Sequence, residues 1–255
     1  IDTPGRDKAV KGTILQAYAG RGSIEGDPFI MMQPVTGIHD LAIWYPEQEA
    51  DNIQPYPPAI QMGDPSVWGN DYVTVDNIEF VNAYLGYKNN PNMGGCPIVR
   101  NIYGTPLKSG IRIDSLADVG RIENCDFSPL YWENSGLPGA PSDKDSHRSY
   151  IYENGIAYEM SRNDWSYGRW LTADRYGVGF YALNSFCEGA WNGESRISNM
   201  YPNGENYGMK FSNCHIGVAI EDTSNSGMVI THTEIDNCEN GFVARNTMAS
   251  KISLI

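Results

Sequence analysis

Residues Gly217 to Arg245 read GVAIEDTSNSGMVITHTEIDNCENGFVAR, one structural unit and the start of the next. Ile216-Gly217-Val218-Ala219-Ile220 leads through a polar turn to Met228-Val229-Ile230 and on to Ile235. Then comes Asp236-Asn237-Cys238, after which Gly241-Phe242-Val243-Ala244 restarts the pattern. Gly217 to Gly241 is a step of 24 residues, and the same step separates Asn213-Cys214 from Asn237-Cys238. Recurrence of a glycine-led strand and an Asn-Cys corner at one period marks a repeat. A unit this short, made of two or three β-branched strands and polar corners, cannot bury its own apolar residues. Stacking on copies of itself solves that problem, so the pattern predicts a parallel β-solenoid of about 22–24 residues per coil.

The same markers run through the earlier chain. Asn77, Asn101 and Asn124 follow one another at steps of 24 and 23 residues, each after an alternating run that ends at a corner. Asparagine suits such a corner because it tolerates the left-handed conformation of a tight bend and hydrogen-bonds the turn above or below. The reading takes these asparagines as continuing the register of Asn213 and Asn237, with the cysteine that follows pointing inward. A β-sandwich with regularly spaced strands would not require asparagine at one phase.

Taken together, these residues resemble the right-handed parallel β-helix of the pectate lyase-like superfamily, over roughly Gly12 to the last residue. The resemblance implies an all-β, right-handed parallel β-helix with long loop insertions. It also implies a carbohydrate-active protein that is secreted or on the cell surface. The Asn-Thr-Asp, Asp-Asp and Gly-His-Gly segments of polygalacturonase-type members are absent from the sequence. The fold therefore does not name the reaction.

Composition narrows the setting. At 255 residues a single elongated domain is expected. The chain starts at Ile1 and stops in the strand-like run 251–255, which reads as a fragment with further coils or caps on both sides. Charge is low at 19%, with a net −13. That balance argues against nucleic acid as a partner, since phosphate binding needs basic surface, and it makes neutral polysaccharide or oligosaccharide the favoured ligand. No run is apolar enough for membrane insertion. Of five cysteines, Cys125, Cys214 and Cys238 follow a corner asparagine and read as stacked core thiols, with Cys96 and Cys187 elsewhere. Four histidines form no metal cluster, so no metal or cofactor is expected, and the lack of any Asn-x-Ser/Thr sequon favours a bacterial source.

In solenoids, function gathers on insertions. Three excursions stand out, at 46–58, 128–154 and 184–207, and the last two flank Ser161-Arg162-Asn163-Asp164-Trp165-Ser166-Tyr167-Gly168-Arg169-Trp170. Trp132 and Trp191 lie in the flanking excursions. Tryptophans on polar loops either pin the loop to the wall or stack against sugar rings. The sugar reading names Arg112, Trp132, Arg162, Asp164, Trp165, Trp170 and Tyr181 as substrate-binding residues.

Aligning the glycine-led strands GIRID, GIAYE, GVGFY and GVAIE places Asp114, Glu159, Tyr181 and Glu221 at one outward phase. Paired carboxylates suit glycoside hydrolysis, one protonated as acid and one ionised as nucleophile or base. Asp114, Glu159 and Glu221 are thus the catalytic candidates, with Glu159 as acid because the tryptophan-rich segment beside it would desolvate it. Two other readings stay open. One is a Ca²⁺-dependent polysaccharide lyase, with Arg112, Arg162 or Arg169 as base. The other is a noncatalytic glycan-binding, tailspike-like adhesin that assembles side by side as a homo-oligomer.

Overall fold

A computed structural model describes residues 4–64, 69–89, 94–114, 116, 118–183, 202–221 and 227–245. The strands separate into two sheets, because each circuit of the chain lays down one run in each. The first sheet runs β1 (Ile14–Gln16), β3 (Gly37–Trp44), β5 (Thr74–Phe80), β7 (Ile98–Gly104), β9 (Gly120–Phe127), β11 (Asn163–Asp174), β13 (Pro202–Tyr207) and β16 (Met228–Thr231). Two short strands, β14 (Lys210–Ser212) and β17 (Glu234–Asp236), extend it beside β11. The second sheet runs β2 (Ile30–Met32), β4 (Pro58–Met62), β6 (Leu85–Asn89), β8 (Ser109–Ile113), β10 (Ile156–Met160), β12 (Val178–Leu183), β15 (Ile216–Glu221) and β18 (Asn240–Arg245). Neighbours in both sheets pair in parallel, which is the arrangement of a parallel β-solenoid.

The first sheet bends once per coil at a residue in the left-handed region. Register places Asp40, Asn77, Asn101, Asn124, Trp170, Gly208 and His232 in this column, with φ between 51° and 69°. Side-chain amides link the coils there. Asn77 Nδ2 donates to Asp40 Oδ1 at 2.6 Å, and Asn124 Nδ2 donates to Asn101 Oδ1 at 2.6 Å. A second ladder runs five residues further on, where Asn237 Nδ2 donates to Asn213 Oδ1 and Asn213 Nδ2 to Asp174 Oδ1, both at 2.7 Å. The single corner expected from sequence is therefore two corners: Asn213 and Asn237 align with Arg175, not with Asn124. Both bends demand φ > 0 and both are served by asparagine, so spacing alone does not distinguish them.

Between the sheets, side chains stack in columns. One inward column is Phe80, Gly104, Phe127, Ala173 and Phe211, large alternating with small. Facing it from the second sheet is a glycine column. A Cβ on Gly110 would sit 2.4 Å from the Ala157 carbonyl oxygen and 2.5 Å from the Phe127 ring, and one on Gly179 would sit 2.5 Å from Phe211. Glycine leads these strands because three phenylalanines need the room. Each buried ring contributes roughly 1.5–3 kcal/mol. Cys125 and Cys214 point inward and are buried, while Cys238 is half-buried, and all three are free thiols, as is Cys96. Cys187 and the run 251–255 lie outside the described residues.

The excursion after β9 folds into two short helices, α1 (Leu130–Glu133) and α2 (His147–Asn154). They are clamped by Glu133, whose Oε1 accepts from Arg148 Nε at 2.6 Å and lies 2.8 Å from His147 Nε2. The third expected excursion is shorter than its sequence span: 202–207 is strand β13, and 184–201 lies outside the described residues.

Candidate functional site

On the second sheet, alternation points Lys88, Arg112, Glu159 and Tyr181 away from the core, at one level of successive coils. Asp114 and Glu221 do not share that level. Glu159 pairs with Arg112 and Tyr181, whereas Glu221 closes β15 opposite Leu183, and Asp114 lies two residues beyond Arg112. The sequence alignment matched Gly155 and Gly177 to Gly110, but the residues in the crowded column are Ala157 and Gly179. Two residues is one full strand period, so the face is as expected and the level is not.

Arg112 lies between the two carboxylates, its Nη2 3.9 Å from Asp114 Oδ2 and its Nε 3.8 Å from Glu159 Oε2. Asp114 is further fixed through its main chain, where its N–H donates to Asn89 Oδ1 at 2.5 Å and its carbonyl accepts from Asn89 Nδ2. Asp114 is 2% exposed and Glu159 7%. The structure thus brings the buried Asp114 and Glu159 together around the Arg112 guanidinium, with Tyr181 opposite Glu159 on the next strand.

The tryptophan-rich segment is not a loop beside Glu159. From Asn163 onward it is strand β11 of the other sheet. Arg162 is buried just before that strand, and its carbonyl accepts from the Leu116 N–H at 3.1 Å. Asp164 lies in β11, Trp165 is half-buried there, and Trp191 lies outside the described residues. Trp132 corrects the sugar reading outright, since it is fully buried, edge-on to His147 at 5.7 Å. Its main-chain N–H donates to Thr105 Oγ1 at 2.9 Å, so Trp132 pins the helical excursion to the coil wall.

Trp170 is the exception. It occupies the bend column at φ 56°, where other coils place asparagine, aspartate, glycine or histidine, and it is 55% exposed. Its indole lies over Gly208 of the next coil, where a Cβ would come within 2.6 Å of the ring. Tyr207 stands edge-on to it at 5.4 Å and packs against His232 at 4.7 Å. These rings border a groove of about 350 Å³ across β11, β13 and β16, with Arg169 and Glu205 at its polar wall and Val229 and Thr231 on the far strand. The Arg169 guanidinium rests 5.7 Å from the centroid of Tyr167. Exposed aromatic faces beside one cation, one carboxylate and a hydroxyl can stack a pyranose and hydrogen-bond its hydroxyls.

Sequence reasoning found Trp170 and overlooked Glu205, Tyr207, Val229 and Thr231. One signal was readable: Tyr207-Gly208 and Thr231-His232 stand one repeat of 24 residues apart. Their link to Trp170 was hidden by the long excursion between β11 and β13. Among the described residues no helix is long and apolar enough to cross a membrane. Comparison with known protein families, curated proteins and solved structures finds no match for this chain.

Proposed function

We propose that the chain is an extracellular glycan-binding protein, built on a right-handed parallel β-helix of the pectate lyase-like kind, with the Trp170–Tyr207 groove as its sugar site. Trp170 carries the reading. A left-handed backbone costs a residue with a Cβ roughly 1–2 kcal/mol, and the column elsewhere uses residues that tolerate it. Here the chain instead places an indole in that conformation and leaves it 55% exposed beside a second exposed ring. Local strain that persists at a solvent-facing aromatic is a mark of function. Among the described residues Glu205 is the one carboxylate bordering the groove. The groove therefore has the means to hold a sugar, and its described lining offers one carboxylate where hydrolysis uses two.

Polysaccharide cleavage is the second reading, favoured by the gathering of Asp114 and Glu159 around Arg112. It requires those buried carboxylates to become accessible. Ca²⁺-assisted elimination is the weakest of the three, because the Arg112 cation already occupies the space between the carboxylates. The test is titration with a panel of neutral and acidic oligosaccharides, reading tryptophan fluorescence and reducing ends together. Binding lost in Trp170→Ala and Tyr207→Ala, and kept in Glu159→Gln, is the expected result. Binding indifferent to both aromatic changes would overturn the groove. Reducing ends abolished in Glu159→Gln would replace binding with hydrolysis.

A further inference from the structure

Beyond its bend, the first sheet shows a second outward face on which Ala42, Glu79, Tyr103, Asp126 and Thr172 stack level by level. Part of this face is roofed. Residues 4–13 form an arm from the Asp126 level, where Arg6 makes a two-pronged pair with the Asp126 carboxylate, to β1, whose Ile14 stacks one coil beyond Ala42. Four coil steps of about 4.8 Å separate those levels, so the arm crosses the levels of Tyr103 and Glu79 on the way. Helix α1 and its following turn form the other half of the roof. Asn134 Nδ2 donates to the Arg6 carbonyl at 2.7 Å, the Val10 N–H donates to the Ser135 carbonyl at 3.0 Å, and the Tyr131 hydroxyl donates to Asp126 Oδ2 at 2.8 Å.

Glu79 is 3% exposed, and among the described residues no hydrogen bond or ion pair reaches it. Among the described residues its neighbours supply no compensating cation. β3 presents Ala42, β7 presents Tyr103, and α1 presents Tyr131, whose hydroxyl proton is committed to Asp126. Asp126 on β9 lies two levels away, while Glu133 on α1 is taken up by His147 and Arg148. Arg6 on the arm is engaged with Asp126 and reaches Asp174 at 3.8 Å. Lys8, also on the arm, is exposed. A carboxyl in such surroundings is tolerated neutral and expelled charged.

We propose that the arm is a pH-operated cover, seated on the fixed helix α1, closed over the Glu79–Asp126 face when Glu79 is protonated and released when it ionises. Desolvation supports this by pushing the Glu79 carboxyl up to about 7. The arm suits the role because most of it is exposed, with Arg6 and Val10 as anchors to the face and to the turn after α1, the mark of a low-stability unit. The sign follows from linkage: the closed state binds the proton more tightly, so closure is favoured below the ordinary glutamate value and weakens as pH rises through about 7. If opening restores the ordinary value of 4.5, the opening equilibrium rises about 200-fold between roughly pH 4 and pH 9.

Hydrogen exchange of the whole chain, read on peptides from 4–13 against 128–137 as the fixed reference and corrected for the intrinsic pH dependence of exchange, measures that opening. The expected result is a steep rise in arm opening through neutrality in the wild type and a flat profile in Glu79→Gln. The same rise in Glu79→Gln, or a flat wild type, would overturn the proposal. Carboxyl ¹³C titration of the wild type keeps the test decisive should Glu79→Gln fail to fold. A Glu79 resonance titrating near the ordinary glutamate value would sink the switch. One titrating near neutrality in step with arm exchange supports it.

Discussion

Replacing Trp170 by asparagine is expected to leave the fold nearly as stable as the wild type while abolishing glycan binding, and alanine at the same place is expected to damage both. The bend column explains the difference. Asparagine relieves about 1 kcal/mol of left-handed strain. It also gains a ladder hydrogen bond toward Asn124, worth about 1 kcal/mol net, in the manner of Asn124 to Asn101. Against this stand the edge-on contact with Tyr207, about 1 kcal/mol, and the partial burial of the indole over Gly208, about another 1–2 kcal/mol. The sum lies near zero for asparagine. Alanine makes the same losses and keeps the strain, giving a deficit of about 2 kcal/mol. For a chain of 255 residues that separates the two variants by about 4–8 °C in Tm. Thermal melts followed by circular dichroism, with oligosaccharide titrations on the same samples, check it. Equal destabilisation of the two variants would refute the ladder argument, and sugar binding retained in both would refute the groove.

Other consequences are equally open to measurement. Gly110→Ala puts a Cβ 2.4 Å from the Ala157 carbonyl oxygen, so denaturant unfolding should show a loss of about 3 kcal/mol. Gly139→Ala, with φ +76° but nothing within 4 Å, should lose only about 1 kcal/mol. Glu159→Gln removes one of the two carboxylates held by the Arg112 guanidinium and should destabilise by about 1–2 kcal/mol while leaving groove affinity unchanged; lost affinity with unchanged stability would move the sugar site to the second sheet. Burial drives the His147 ring below its ordinary value. Folding therefore excludes its proton, and the helical excursion should weaken as pH falls from the ordinary histidine value of 6.5 through the lower folded one, the opposite sign to Glu79. His147→Gln should flatten that part of a stability-against-pH profile.

What the sequence determined by itself was whatever a single coil demands of its own residues. A bend with φ > 0 favours asparagine or glycine wherever it occurs, a crowded strand position favours glycine, and an interior needs alternating apolar side chains. The 24-residue period, the parallel stacking and the inward Cys125 and Cys214 were therefore readable in order along the chain. Relations between coils were another matter. Gly155 and Gly177 look like Gly110 in sequence, yet the position facing the phenylalanine column is filled by Ala157 and Gly179, so the carboxylates shifted by one strand period. Only tertiary structure decided that Trp132 is buried while Trp170 is exposed, that Arg112 lies between Asp114 and Glu159, and that Glu79, on an outward strand position, is nonetheless buried. Exposure and charge compensation are set by which coil and which excursion come to lie over a residue, and excursions of unequal length erase that information from linear spacing.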